Sequence, residues 1–142
     1  MKSPKGNYEF VTLPFASNIK GELQVPKSSG LNWGQRPGRE QNQAYLSVPA
    51  YIQRSSFFPI PGVIFEIQCD DGERFQCLRA QANGKAIHTP SNNSLLGLYF
   101  RNRLGVMPGY MVKIEHLTSY GRSSVDIYKL SNVQFYLDFS LD

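Results

Sequence analysis

The sequence predicts a mainly β domain: a small open pseudobarrel of about seven strands, largely antiparallel, with two short helices. Short apolar runs that alternate with polar residues predict the strands, and the 12 glycines and 9 prolines fall between these runs as turn signals. The 142 residues are 41% apolar and 18% charged, which is a globular composition with enough apolar residues for one core. No apolar run approaches the length of a membrane span, and the amino-terminal residues have no signal-peptide core.

Periodicity and turn residues place the individual elements along the chain. Residues 1–27 contain three prolines and predict an extended arm or linker that covers a strand edge, so the domain itself is expected over residues 28–142. Two consecutive hairpins are expected between residues 63 and 88. Further strands are expected at residues 45–48, 112–114, 125–128 and 133–139, and short helices at residues 50–57 and 95–104.

The first hairpin turns at Asp70-Asp71-Gly72, and its register can be chosen from the sequence. A three-residue loop with a left-handed Gly72 pairs Ile67 with Phe75 and Phe65 with Cys77, which places apolar side chains on one face of both strands. A two-residue loop would shift the second strand by one position and turn its apolar residues to the wrong side. We therefore predict the three-residue loop.

The second hairpin continues the same strand as a polar ribbon over residues 79–88. Its inward positions change from apolar residues to Arg79, Gln81 and Asn83, and Asn83-Gly84 is a strong signal for a two-residue turn. In that register His88 faces Arg79 across the ribbon. The ribbon is either a solvated hairpin tip or a binding element.

The charge of the chain is distributed in a way that favours nucleic acid as a partner. The net charge is +4, and between residues 31 and 103 eight basic residues outnumber five acidic ones. Seven of those eight are arginines, whose planar guanidinium groups suit recognition of bases and phosphates better than solubility alone requires.

Two segments are too polar to belong to the core, namely residues 32–43 and the ribbon 79–88 with the loop 91–94 behind it. Both are rich in arginine, asparagine and glutamine. Arginine recognises the O6 and N7 atoms of guanine with two hydrogen bonds, and asparagine and glutamine recognise adenine in the same way. A two-stranded ribbon also fits the DNA major groove. Together the segments predict binding to double-stranded DNA.

Catalytic and metal-binding chemistry finds no support in the sequence. Cys69 and Cys77 match no metal-binding spacing, and His88 and His116 do not complete a ligand set, so both cysteines are expected to be buried, reduced thiols of a cytoplasmic protein. Adjacent acids in the Asp70-Asp71 turn usually bind the backbone. The sequence thus predicts a chain that is not an enzyme, with no metal, no cofactor and no catalytic residue.

Two sets of short motifs in the sequence carry a family resemblance. The first set is Ser47-Val48-Pro49-Ala50 and Phe57-Phe58-Pro59. The second set is Asn32-Trp33-Gly34-Gln35-Arg36, Asp70-Asp71-Gly72, Gly84-Lys85-Ala86-Ile87, Asn92-Asn93-Ser94-Leu95-Leu96-Gly97, Tyr99-Phe100-Arg101-Asn102-Arg103-Leu104-Gly105 and Tyr120-Gly121-Arg122. The first set resembles the B-three pseudobarrel of plant transcription factors. The second set resembles, more closely, the carboxy-terminal domain of NgoFVII-type restriction endonucleases, to which the BfiI and EcoRII enzymes are related, and this resemblance covers about residues 28–142.

The resemblance implies a bacterial domain that grips double-stranded DNA with two arms in the major groove. We call residues 33–42 the N-arm and residues 79–93 the C-arm. The DNA-binding residues expected on the N-arm are Trp33, Gln35, Arg36, Arg39, Gln41 and Asn42. Those expected on the C-arm are Arg79, Gln81, Asn83, Lys85, His88, Asn92 and Asn93, and the expected phosphate contacts are Lys27, Arg101 and Arg122.

The same resemblance implies a partner within the parent enzyme. The family's nuclease half is similar to phospholipase D and needs an H-x-K motif, which neither His88 nor His116 provides. The nuclease domain is therefore expected to lie outside this chain, and the DNA-binding domain is expected to be monomeric. Two alternatives stay open, a barrel that binds single-stranded nucleic acid and a barrel that binds protein. Trp33 is either a core anchor at the base of the N-arm or a wedge that faces DNA.

Overall fold

The computed structural model describes residues 6–141, and within that range it contains nine strands and three α-helices. The strands are β1 (Phe10–Pro14), β2 (Ser17–Ile19), β3 (Glu22–Gln24), β4 (Leu46–Ser47), β5 (Phe65–Cys69), β6 (Arg74–Ala80), β7 (Ala86–His88), β8 (Ser124–Lys129) and β9 (Gln134–Asp138). The helices are α1 (Ala50–Gln53), α2 (Leu95–Leu104) and α3 (Ile114–Tyr120), and two 3₁₀ segments cover Gly30–Gln35 and Ala82–Gly84.

Seven of the strands form one sheet in the order β1-β8-β9-β5-β6-β7-β4, and β2 and β3 form a separate hairpin. Neighbouring strands are antiparallel except β5 and β9, which are parallel. The two edge strands β1 and β4 contact each other, so the sheet curls into a nearly closed mixed barrel. The predicted fold class, a mainly β pseudobarrel with a few short helices, is confirmed.

Residues 10–25, which the sequence placed in an arm or linker, take part in this barrel. β1 pairs with β8, with Leu13 opposite Val125 in the register. Phe15, Ala16 and Val25 are buried in the same core as the rest of the sheet. This segment covers the edge of β8 and adds apolar surface to the core.

The first hairpin has the predicted register. Ile67 lies opposite Phe75, Phe65 lies opposite Cys77, and Gly72 is left-handed with a φ of 94°. The five residues Phe65–Cys69 alternate strictly between buried and half-buried positions. Only the three-residue loop places the apolar residues of both strands on the same buried face.

The second hairpin differs from its prediction. The last pair of the ribbon is Ala80 with Ala86, so the connection is a five-residue loop and not a two-residue turn at Asn83-Gly84. Arg79 lies opposite Ile87, and the prediction that it faces His88 is wrong. The longer loop wraps around the Arg79 guanidinium, which is closer than 3 Å to the position of a Cβ atom on Gly84.

The strand predicted at residues 112–114 is also wrong, because Ile114 begins helix α3. The backbone of Val112 does not need a neighbouring strand, since the Asn32 side chain accepts from its N–H and donates to its carbonyl, both at 2.8 Å. Lys113 then donates its backbone N–H to Nδ1 of His116 and starts the helix.

The core is dominated by aromatic rings on the inner face of the sheet. One group combines edge-to-face, tilted and stacked pairs, and a second group packs edge to face between α2 and the residues that follow β1 and β9. Cys69 and Cys77 are buried free thiols in this core, as predicted. The members of the two groups are Phe57, Phe58, Phe65 and Phe135, and Phe15, Phe100 and Phe139.

Helix α2 is fastened to the first hairpin by an ion pair. Both terminal nitrogens of Arg103 donate to the Asp70 carboxylate at 2.9 Å, and one Asp70 oxygen also accepts the Phe139 N–H. The neighbouring Asp71 carboxylate accepts from the hydroxyl of Tyr99. The two adjacent acids have the structural role expected from the sequence, and they fix the position of α2 behind the arms.

Candidate nucleic-acid interface

The N-arm and the tip of the C-arm lie at opposite ends of the strand pair β4–β7. The N-arm leads into β4 near residue 44, where the Ala44 N–H donates to the Asn93 carbonyl at 3.0 Å. The tip of the C-arm, residues 81–85, lies at the other end, where the Val48 N–H donates to the Lys85 carbonyl at 2.8 Å. Residues 44 and 48 are four residues apart along the strand, so about 13 Å of strand separates the two positions. Edge strand β4 thus lies between the N-arm and the tip of the C-arm.

The backbone of the N-arm is closely packed on the body of the domain. A Cβ atom on Gly97 of α2 would lie 1.7 Å from the carbonyl oxygen of Asn42, and one on Gly34 would lie 2.2 Å from the carbonyl oxygen of Glu40. The Gly34 N–H donates to the Gln43 carbonyl and closes the loop. Only glycine allows these approaches, which makes the N-arm a fixed loop.

The aromatic side chain of the N-arm supports the loop from within. Trp33 is half-buried and packs edge to face on buried Tyr45, with ring centroids 5.4 Å apart. The Arg39 guanidinium lies 4.0 Å from the Trp33 ring centre and donates to the Gln43 side chain at 3.0 Å. This is the geometry of an anchor at the base of the arm that also stacks an exposed arginine.

The remaining N-arm residues divide into two kinds. Gln35 and Asn42 are half-buried and bind the loop that follows α2, since the Gln35 amide donates to the Gly109 carbonyl and the Asn42 oxygen accepts the Gly109 N–H at 2.6 Å. Arg36 and Gln41 are exposed. Arg36 uses Nε to bind the Ser28 carbonyl, and its two terminal nitrogens have no hydrogen-bond partner among residues 6–141.

Arg101, predicted as a phosphate contact, is completely buried, and that prediction is wrong. Its guanidinium donates to the carbonyls of Tyr110 and Gly97 and points at the Asn32 side-chain oxygen. Burial lowers the pKa of Arg101, and Glu40 partly offsets this effect. Arg101 and Asn32 together tie α2, the 105–113 loop and the base of the N-arm into one unit.

Arg79, predicted to recognise a base, is likewise buried, and that prediction is wrong. Its guanidinium donates to four backbone carbonyls at 3.0 to 3.2 Å. Burial lowers its pKa. The acceptors belong to Gln53, Pro59, Asn83 and Gly84. Arg79 therefore supports the C-arm tip from inside and is not available to DNA.

The tip itself presents the exposed polar side chains of Gln81, Asn83 and Lys85. Asn83 has a left-handed backbone with a φ of 60° and a ψ of 17°, which asparagine tolerates. Gln81 has a φ of 66° and a ψ of 179°, a region that is essentially restricted to glycine. A glutamine held in this conformation at an exposed tip is a candidate for a functional residue.

The root of the C-arm is less exposed. His88 is half-buried, lies opposite Leu78, and has its pKa lowered by burial, which favours the neutral imidazole. Asn92 is exposed but its side-chain oxygen accepts the Ser94 N–H at the start of α2. Asn93 is half-buried, and its carbonyl holds the N-arm as described above.

Of the other predicted phosphate contacts, Arg122 is committed elsewhere and Lys27 is exposed. The Arg122 guanidinium binds Asp126 at 3.1 Å, Asp138 at 3.4 Å and the Ser140 carbonyl at 2.8 Å. A side chain whose donors are all engaged in this way holds β8 and β9 together. The predicted phosphate contact of Arg122 is not supported by this geometry.

Sequence reasoning missed the residues that set the arms in place. Asn32, Glu40, Ser94 and Gly97 make the contacts that join the N-arm to α2 and to the root of the C-arm. One signal was present for Glu40, which is the only acid within an otherwise neutral or basic arm. An isolated acid beside a DNA-binding surface needs a structural reason.

The nearly closed mixed barrel, with two polar segments beside one short edge strand, has the architecture that the resemblance to a B3-like pseudobarrel implied. The family model for the NgoFVII C-terminal B3-like DNA-binding domain matches residues 7–131. The chain belongs to this family of restriction-enzyme DNA-binding domains, and DNA is its partner. No curated protein is significantly similar to the chain.

No cluster of three or more histidine, cysteine, aspartate or glutamate side chains within residues 6–141 could hold a metal ion. None of the helices in this range has the length and apolar character required to cross a membrane.

Proposed function

We propose that this domain recognises a specific sequence in double-stranded DNA through two arms in the major groove. In this role it is the target-recognition domain of a restriction endonuclease whose nuclease domain is a separate part of the enzyme. The main support for the proposal is that each arm presents exposed hydrogen-bond donors, while buried residues hold the backbone of the arm in place.

The proposed base-reading set is smaller than the sequence suggested. It consists of side chains that are exposed and whose terminal donors are free among the described residues. Because the backbone beneath these donors is already fixed, binding has to order the side chains but not the loops. Arginine favours guanine, and glutamine and asparagine favour adenine, so the site should mix both base pairs. The set is Arg36 and Gln41 on the N-arm, and Gln81, Asn83 and Lys85 on the C-arm.

Two further residues act at the edges of this surface. Arg39 lies over Trp33 and can exchange its contact with Gln43 for a phosphate oxygen without losing the aromatic stack. Lys27 is exposed, lies shortly before the N-arm in the sequence, and serves as a phosphate contact. Gln35, Asn42, Asn93 and His88 are half-buried and support the arms. Asn92 is exposed, but the Ser94 N–H already occupies the side-chain oxygen that a bidentate contact with adenine needs, so it is left out of the set.

One domain is sufficient to recognise one site. The arms differ in sequence and in backbone, and the chain has no internal repeat, so a monomer reads an asymmetric sequence. The separation of about 13 Å between the end of the N-arm and the tip of the C-arm is close to the width of the major groove.

The test compares duplex and single-stranded DNA over a range of salt concentrations. We expect tighter binding to the duplex, and log affinity should fall with log salt with a slope near −0.9 for each phosphate neutralised. Equal or tighter binding to single strands would favour a single-strand-binding barrel. Duplex binding that does not change with salt would contradict the proposal, and binding to neither would point to a protein partner.

A further inference from the structure

Glu40 is an exposed acid within the N-arm, and its negative charge alone would oppose DNA binding there. Its carboxylate is exposed, yet it accepts three hydrogen bonds. The donors are the Ser94 hydroxyl, which makes a very short contact, and the backbone and side-chain N–H groups of Asn42, both at 2.9 Å. Both carboxylate oxygens are thus engaged by the protein.

These contacts join the two arms. Ser94 lies directly after the C-arm, immediately before α2, and Asn42 is the last residue of the N-arm. Around them, Asn42 also binds the Gly109 N–H, and its carbonyl lies against Gly97. The hydrogen bond from Ser94, followed by those from Asn42, lowers the pKa of Glu40, so the carboxylate is ionised at neutral pH.

We propose that Glu40 is a positioning residue that fixes the N-arm relative to the C-arm in the arrangement that the DNA site requires. This inference rests on the proposed function, because the spacing of the arms matters only if both contact one duplex. Glu40 acts through Asn42 and Ser94 and does not contact DNA.

Replacing Glu40 should change DNA affinity in opposite directions for two kinds of duplex. Removing the negative charge reduces repulsion from phosphates, so binding to a duplex of unrelated sequence becomes tighter. A glutamine keeps only one acceptor oxygen for the three donors from Ser94 and Asn42 and turns an NH2 donor toward the others, which loosens the N-arm, so binding to the selected site becomes weaker. A general loss of structure would weaken both, and a purely electrostatic role for Glu40 would strengthen both.

The experiment uses the full chain, a duplex selected from a randomised library by the unmodified protein, and a scrambled duplex of the same length and composition. We expect E40Q to bind the selected duplex about tenfold more weakly and the scrambled duplex at least as tightly as the unmodified protein. S94A, which changes no charge, should weaken only the selected duplex. The double variant E40Q/S94A should bind the selected duplex no more weakly than E40Q alone, because both substitutions disrupt the same contact.

E73Q is the matched control, since Glu73 is an exposed acid in the first hairpin at the end of β6 away from the C-arm. It removes the same charge and should leave discrimination between the two duplexes unchanged. Tighter binding of E40Q to both duplexes would overturn the inference. So would a new selection with E40Q in which the preference is lost at a single C·G pair, because that result would mean a direct contact with cytosine.

The outcomes for the proposed function and for this inference can be separated. If the unmodified protein does not distinguish selected from scrambled duplex, the proposed function fails and the inference fails with it. If the unmodified protein distinguishes them and E40Q distinguishes them equally well, only the inference fails.

Discussion

The conformation of Gln81 predicts a conflict between stability and recognition at the C-arm tip. Its backbone, with φ at 66° and ψ at 179°, should cost about 1–3 kcal/mol relative to a glycine at the same position. Its exposed side chain has no hydrogen-bond partner within residues 6–141 that could compensate. The strain is therefore explained if the glutamine is needed for contact with a base.

Two variants separate the strain from the side chain. Q81G removes both the strain and the side chain, whereas Q81A removes only the amide side chain and keeps a Cβ atom in the strained position. We expect the free energy of unfolding of Q81G to exceed that of Q81A by about 1–2 kcal/mol. This figure allows for the greater freedom of glycine in the unfolded chain. For a domain of this size, that difference is a rise in Tm of about 3–6 °C.

The assay is thermal or urea unfolding of the three proteins, together with binding-site selection for each. Both variants should lose preference at one or two base pairs, with a reduction in affinity equivalent to about 1–3 kcal/mol. If Q81G is no more stable than Q81A, the backbone at residue 81 is not strained. If both variants keep the original preference, Gln81 does not read a base.

Further predictions concern buried residues and catalysis. R79M should reduce the free energy of unfolding by about 3–5 kcal/mol, measured by urea unfolding, because it leaves four backbone carbonyls without their donor. R122A should reduce it by about 2–3 kcal/mol but leave the slope of log affinity against log salt unchanged, since Arg122 binds Asp126 and Asp138 and not phosphate. Burial raises the pKa of Cys69 to about 12, above its usual value of 9.0, so the unfolded chain loses this proton first and stability should fall between about pH 9 and pH 12 in unfolding titrations. The purified chain should bind duplex DNA without cutting it in any divalent metal, and cleavage abolished by a substitution in this chain would contradict its assignment as a recognition domain alone.

The first hairpin shows what the sequence was able to predict. Two alternating apolar strands around one turn leave a single register that buries the apolar face of both strands, so the pairing of Ile67 with Phe75 followed from the sequence. The apolar pattern likewise predicted the barrel, because its strands can bury their inner faces only against each other. Local periodicity is sufficient where one burial pattern excludes the others.

The ribbon and the arginines show where such reasoning stops. Arg36 and Arg79 look alike in the sequence, each within a polar segment rich in turn residues. One is exposed with free terminal nitrogens, whereas the other is enclosed by carbonyls from α1, the 57–62 segment and its own loop. These acceptors lie up to 26 residues away, so no local pattern indicates which arginine is buried. For the same reason the strand predicted at residues 112–114 failed, because its backbone is paired by a side chain 80 residues away.

The exposed arm tips lead to one central claim, that a single chain reads an asymmetric DNA sequence with both arms. The most direct measurement is selection by the full chain from a randomised duplex library, followed by sequencing of the bound DNA. We predict one short, non-palindromic site that contains both G·C and A·T pairs, because its arms carry arginine as well as glutamine and asparagine. Selection of a palindrome would contradict reading by a monomer, and the absence of any enriched sequence would contradict specific recognition.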